Sequence, residues 1–289
     1  MLFRSLTAAR AAPPPLARGF FGRPAPEVAP ALLGCVLAHE TADGLVAVEL
    51  TEVEAYSGAT DPASHAYRGL TGRNAVMFGP PGHAYVYFTY GMHFCVNVVC
   101  QPAGTASAVL LRAGRVVVGE PLARRRRAVR RAAGARDVTT ADARDVTAAD
   151  PRDVTAADAR DDAVADALDL TPARDLARGP ARLCRALAIT RAQNGADFCD
   201  PASPLRLLPG RRAPSVDDTA WNGTAWNGTA VDDTAGDDTA GDDAGRAAEP
   251  VISTGPRVGV TAAAEVAWRF WLTGDPTVSA YRLHKKRAR

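Results

Sequence analysis

The stretch AYVYFTY (84–90), followed by GMH (91–93) and FCVNVV (94–99), decides the fold. Two runs of β-branched and aromatic residues flank a short glycine-led break, the pattern of an antiparallel hairpin. Alternation puts Tyr85, Tyr87 and Thr89 on one face and Val86, Phe88 and Tyr90 on the other. On the second run Phe94, Val96 and Val98 share a face, opposite Cys95 and Asn97. A three-residue turn over Gly91, Met92 and His93 sets Tyr87 against Asn97, whereas a slip of one residue would exchange the faces. Tyr90 then stands at the tip, where a large ring has no core to bury it. The plain alternative is a hairpin whose tyrosines simply cover a core, since aromatics are ordinary strand residues.

Working outward, TEVEAYSG (51–58) places Glu54 and Tyr56 on one strand face, with Val53 and Ala55 opposite. A carboxylate beside tyrosines is a candidate for a raised pKa and for general-base work. His65 lies in a loop of small residues, DPASHAYRG (61–69), and Arg112 closes the apolar strand AVLLR (108–112). A loop histidine is commonly structural and a strand-end arginine is commonly a solvated charge. It is the conjunction of the four that points to chemistry. A tip aromatic such as Tyr90 is also suited to wedging between base steps of a duplex.

The rest of the chain bounds the possibilities. At 289 residues and 47% apolar it can bury a substantial core. It holds no run of 18 uncharged apolar residues, so no transmembrane helix is expected. Residues 1–24 lack acids, carry Arg4, Arg10, Arg18 and Arg23, and include Pro13, Pro14 and Pro15, which reads as an N-terminal tail. From Phe20 the pattern predicts a short helix, a strand, a turn at Gly44 and a second strand from Leu45 to Tyr56. Cys35, Cys95, Cys100, Cys184 and Cys199 form no CxxC pair, and no histidine stands at zinc spacing. They read as reduced packing thiols of a cytosolic protein, with no metal and no cofactor.

Charge is unevenly distributed. Arg124 to Arg127, with Arg130 and Arg131, make a basic run that serves as a solvated face or a phosphate contact. An eight-residue repeat follows, with Arg136, Arg144, Arg152 and Arg160 in phase, and a second low-complexity stretch covers 217–245 and contains Trp221 and Trp226. Neither supplies an apolar stripe that could build a core. Residues 137–169 hold ten Asp and three Arg, and residues 213–245 hold eight Asp and no base. Against a formal net charge of +2 for the whole chain, the remainder therefore carries +17. That is the electrostatic footprint of a polyanion binder. Farther on, DLARGPARLCRALAI (175–189) predicts a helix starting at Pro180 with Leu176, Leu183 and Leu187 apolar. PRVGV (256–260) predicts a strand, Trp268, Phe270 and Trp271 a core segment, and Ser279 and the basic tail a surface.

The chain resembles the alkyladenine (3-methyladenine) DNA glycosylase family of monofunctional base-excision repair enzymes. The resemblance rests on EVEAYSG (52–58), DPASHAYRG (61–69), RNAVMFGPPGHAYVYFTYGMHFCVN (73–97), SAVLLRAG (107–114), ARGPARLCRALAI (177–189) and RVGV (257–260), in family order and spanning most of the chain outside the two low-complexity stretches. It implies a single α+β domain, a mostly antiparallel curved sheet with flanking helices and a protruding DNA-intercalating hairpin. The domain would span 20–289 behind a flexible tail of 1–19, interrupted by inserts at about 124–169 and 213–248. It further implies Glu54 as the catalytic glutamate, the base that activates water, with Arg112 as the second catalytic residue, and Tyr56, His65, Tyr87 and Asn97 around the extruded base. The DNA-contacting tip falls on Tyr90, Gly91, Met92 and His93, with His93 standing where some members carry tyrosine. The implied partner is double-stranded DNA containing damaged purines, bound by a monomer at the nucleoid in the cytoplasm, with no membrane. The only lysines are Lys285 and Lys286 in the basic tail, which disfavours a Schiff-base mechanism. Two other readings remain open: a catalytically silent nucleic-acid-binding module of the same fold, and a nucleoside or RNA N-ribohydrolase.

Overall fold

Strand β2 (Gly44–Tyr56) organises the molecule, because its thirteen residues are long enough for three neighbours. In the computed structural model, which describes residues 13–89, 92–136, 171–210 and 250–281, β1 (Val36–Thr41) pairs with the first half of β2. The far half of that edge takes β8 (Arg269–Leu272), and the opposite edge from Ala47 to Tyr56 takes β5 (Ala108–Val118). Beyond β5 lie β4 (His93–Val99) and β3 (Ala84–Thr89); beyond β1 lies β6 (Leu205–Leu208), and β7 (Ile252–Gly255) pairs with β8. Every pairing is antiparallel, and with few helices the architecture is a single α+β domain around a curled sheet. The register of β2 against β5 shifts near Ala47, and again on both sides of Glu52. Bulges of this kind bend a strand and re-aim its side chains.

One face of the sheet makes the core. Val46, Val48, Val53 and Ala55 of β2, Val109 and Leu111 of β5, and Val96 and Val98 of β4 are buried against helices α2 (Ala25–Ala31) and α4 (Pro180–Ala186). Helix α2, preceded by a four-residue turn of helix, α1 (Arg18–Phe21), turns Ala25, Val28 and Ala29 inward. Helix α4 starts on Pro180, whose missing N–H costs nothing in a first turn, and buries Leu183 as its spacing predicts, with Leu187 just past its end. Residues ahead of Phe20 also join the body: Leu16 N–H donates to Leu207 O, and Arg18 bonds Asp197. The basic run lies on α3 (Glu120–Arg136), where Arg124 reaches Glu120 and Thr171, Arg126 reaches Ala186 O and Thr41, and Arg127 reaches Thr171. Among the described residues no helix is long and apolar enough to cross a membrane.

Three details differ from the sequence reading. The β3–β4 register pairs Tyr85 with Asn97 and Tyr87 with Cys95, so Tyr87 does not face Asn97. The offset is two residues, an even number, and the faces assigned by alternation survive it. Arg112 sits in mid-strand, since β5 runs on to Val118, and it is buried instead of closing the strand. Residues 256–260 form a loop, with the strand just ahead of them at Ile252–Gly255. Tyr90 and Gly91 lie outside the described residues. So do the tail to residue 12, the two acidic stretches across 137–170 and 211–249, Trp221, Trp226, Lys285 and Lys286.

Candidate active site

The other face of the sheet carries a polar row. Tyr85 on β3 is opposite Asn97 on β4, Asn97 is opposite Leu110 on β5, and Leu110 is opposite Glu54 on β2. One step along, Tyr87 pairs with Cys95, while Tyr56 pairs with Ala108. Because opposite residues in an antiparallel sheet point the same way, four strands deliver Tyr85, Tyr87, Cys95, Asn97, Leu110, Arg112, Glu54 and Tyr56 to one surface. Over this surface opens a cleft of about 510 Å3, walled by Pro62 to His65 on one side and by Val258 to Ala262 on another. Pro180 and Ala181 at the start of α4 close it further.

Glu54 lies beneath the cleft with no exposed surface. Its Oε1 accepts the Val258 N–H at 2.7 Å and lies 3.1 Å from Arg112 Nη1. Its Oε2 accepts the Tyr56 hydroxyl at 2.8 Å. Burial and the Glu54 charge push the Tyr56 phenol well above its ordinary range, so it remains a donor. Arg112 is shared: its Nε donates to Glu52 at 2.7 Å, and its Nη2 approaches Ser279 Oγ at 3.4 Å. Glu52 in turn receives Arg269 Nε at 2.8 Å and both the N–H and hydroxyl of Ser279. Burial opposes its ionisation, but the two guanidinium groups and the Ser279 bonds outweigh it and hold the carboxyl below its ordinary value. Ser279, half-buried, therefore caps a buried acid.

The aromatic wall is formed by His65, Tyr85 and Tyr87. The His65 and Tyr87 rings meet edge-on with centroids 4.5 Å apart, and Tyr85 lies 5.6 Å from Tyr87 at a tilt of 31°. His65 Nδ1 is 3.0 Å from the Tyr85 hydroxyl. Burial, then the charge of Arg73, lower the histidine below its usual pKa and favour the neutral ring. Asn97 donates from Nδ2 to Tyr85 O at 3.0 Å and is nearly buried, which leaves the rest of its amide to the cleft. Cys95, whose thiol is pushed up by burial, completes this wall. At the mouth, Thr89 and His93 line the cleft, and Met92 beyond them is about half exposed.

The sequence reading thus named Glu54, Arg112, Tyr56, His65, Tyr87 and Asn97; the fold brings the last five to the lining of one cleft and buries Glu54 behind it, bonded to Tyr56 and Arg112. Tyr90 and Gly91 lie outside the described residues. Sequence reasoning missed four contributors. Tyr85 shares the face of Tyr87 by alternation and was legible as a wall residue. Glu52 is two residues before Glu54 and on the same face. The Val258 N–H and the Arg257–Asp61 pair come from loops, where no periodicity announces a contact. Gly58 admits the loop itself: at φ 55°, a Cβ there would meet Ala106 O at 1.9 Å. Among the described residues no group of three His, Cys, Asp or Glu side chains is placed to hold a metal.

A family model described as methylpurine-DNA glycosylase matches residues 19–224. A Streptomyces avermitilis protein, named as a candidate 3-methyladenine DNA glycosylase, is 42% identical over 277 residues, 95% of each chain. A protein of the same name from Leifsonia xyli subsp. xyli is 44% identical over 262 residues, 89% of this chain and 88% of its own. Another, from Frankia casuarinae, is 42% identical over 263 residues, 91% of each.

Proposed function

Since the chain belongs to the methylpurine-DNA glycosylase family, we propose that it excises alkylated or deaminated purines from duplex DNA. The reaction is hydrolysis of the N-glycosyl bond by a water that Glu54 activates, leaving an abasic site. The target bond is inaccessible within the base stack, so the nucleotide must first be extruded. The cleft suits the extruded base. His65, Tyr85 and Tyr87 offer ring faces and edges, and stacking on aromatic side chains contributes about 1–3 kcal/mol per base. Tyr90 fills the space that the base leaves, with Gly91, Met92 and His93 completing the contact with the duplex.

The observation that carries the reading is the set of bonds on Glu54. A carboxylate offers roughly four acceptor positions. Tyr56, the Val258 N–H and Arg112 take three, which fixes the group rigidly; the fourth serves the attacking water, which must be admitted together with the base because Glu54 has no exposed surface in the free chain. That water attacks the anomeric carbon as the bond to the purine nitrogen breaks. Its proton passes to Glu54, and the bonding electrons leave with the base. The carboxylate also stabilises the cationic sugar as it forms. An N-alkylated purine already carries positive charge and leaves as a neutral base without an acid. Arg112, tied to Glu52 and Glu54, has donors left over to hold the same water. Asn97, at the pocket floor, disfavours purines that carry an extra amino group. The enzyme acts as a monomer on the chromosome, and it hydrolyses without cutting the strand.

The test uses duplex oligonucleotides with one hypoxanthine or one alkylated purine, alkali revealing the abasic sites. Glu54→Gln should bind these duplexes almost as the unmodified chain does and release no base. Retained turnover in that variant would remove Glu54 from its role.

A further inference from the structure

Among the described residues Arg257 is the largest side chain with essentially no exposure, and its partner Asp61 is buried with it. Its Nη1 donates to Asp61 Oδ2 at 2.6 Å and to Ala55 O at 3.0 Å, and its Nη2 donates to Asp61 Oδ1 at 2.9 Å and approaches Ala263 O at 3.4 Å. The guanidinium lies over the Tyr56 ring, 4.7 Å from its centroid, and over Trp268 at 5.3 Å. Taking two charges out of water costs several kcal/mol per ion, and such a pair is often no more stabilising than an apolar pair of equal volume. Its value must be sought in geometry.

Each contact ends on a part of the cleft. Asp61 gathers the loop that carries His65, since its carboxylate also accepts the N–H groups of Ser57 and Ala63. Ala55 O lies between Glu54 and Tyr56 on β2. Ala263 closes the loop that begins at Arg257 and includes Val258, the donor to Glu54; it is held at φ 48°, a region that residues with a Cβ avoid. The cation–π contact fixes the plane of Tyr56, whose hydroxyl is the other neutral donor to Glu54. One guanidinium therefore fastens both neutral donors of the carboxylate and the loop that bears His65.

We propose that Arg257, clamped by Asp61, is a positioning residue of the reaction, acting on Glu54 through Tyr56 and the Val258 N–H. This rests on the role given to Glu54 above. Misplacing a reacting group by a fraction of an ångström to one ångström costs up to about 100-fold in rate. Arg257→Lys keeps the charge but loses the two-pronged grip, and Asp61→Asn keeps the shape but loses the ion pair. Both are measured on the full chain by single-turnover release of hypoxanthine or 7-methylguanine from duplex, by affinity for the same duplex, and by thermal unfolding. Leu205→Ala, in the core on β6 at the far end of the sheet from β3 and β4, serves as a variant of lowered stability.

The expected result is a release rate lowered roughly 10- to 100-fold at a temperature where the variants remain folded. Duplex affinity should change by less than about threefold, and Leu205→Ala should keep its rate despite an equal loss of thermal stability. Release at the unmodified rate by the folded variants would overturn the proposal. So would a rate that follows thermal stability alone across all three variants, or failure of both clamp variants to fold, because each assigns the pair to stability. If the unmodified chain releases no base, the reading of Glu54 falls and takes this inference with it. If it turns over beside an equally active Arg257→Lys, only the inference falls.

Discussion

Replacing Arg112 by methionine should expose how much the buried acids depend on it. Met approximates the stem of arginine and removes only the charge and its donors. Glu52 and Glu54 are fully buried, and among the described residues Arg112 is the one cation bonded to both. Removing one partner of a buried pair costs about 3–5 kcal/mol, because the remaining charge is left uncompensated. The lower end applies here. Glu52 keeps Arg269 and the Ser279 bonds, and Glu54 keeps Tyr56 and the Val258 N–H. We therefore expect a loss of about 3 kcal/mol near neutral pH, a large part of the 5–15 kcal/mol that a domain commonly has. Urea unfolding followed by tryptophan fluorescence reads it directly. The pH dependence gives the sign. In the unmodified chain the folded-state pKa of Glu52 is depressed, so its contribution is present above the ordinary value of 4.5 and is lost as pH falls through the folded value. In Arg112→Met part of that pull is gone, the folded pKa rises, and the contribution at neutral pH shrinks. The gap between the two proteins should be widest near pH 7 and should narrow as pH drops below about 4.5. A gap under about 1 kcal/mol, or one that widens on acidification, would refute the claim that Arg112 compensates buried carboxylates.

Two further outcomes follow from the same cleft. Asn97→Ala removes the amide at the pocket floor and its bond to Tyr85 O, and should raise release of purines with an extra amino group relative to hypoxanthine by roughly tenfold; competition between the two duplexes in one reaction reads the ratio, and an unchanged ratio would clear Asn97 of any part in discrimination. Borohydride added during turnover should trap no covalent complex with DNA, since none of the described residues lining the cleft is a lysine; a trapped species on a denaturing gel would contradict a purely hydrolytic reaction.

How far the sequence could be read depended on the range of the forces involved. Alternation is a local rule, and it assigned Tyr85, Tyr87, Asn97, Glu54 and Tyr56 to their faces correctly. Register is set by the turn, and the β3–β4 offset came out two residues from expectation; the even slip preserved the faces, so the pocket survived an error in its pairing. Arg112 was expected in the site but at the end of its strand, because local pattern cannot show that β5 continues six residues beyond it, or that two acids wait on the neighbouring strand. The same limit hid Ser279, 227 residues from Glu52, and Arg257, 196 from Asp61. Nothing in the composition of RVGV separates a strand from a loop that turns one N–H onto a carboxylate. Such contacts are made only after the sheet has brought distant segments together, and they are the ones that convert a face of tyrosines into a site with a rigidly held acid. An exposed tyrosine face with one acid would serve a core or a binding surface equally well. The buried cations and loop donors that lock Glu54 are what favour chemistry over adhesion, and they are the part of the design that only the fold makes visible.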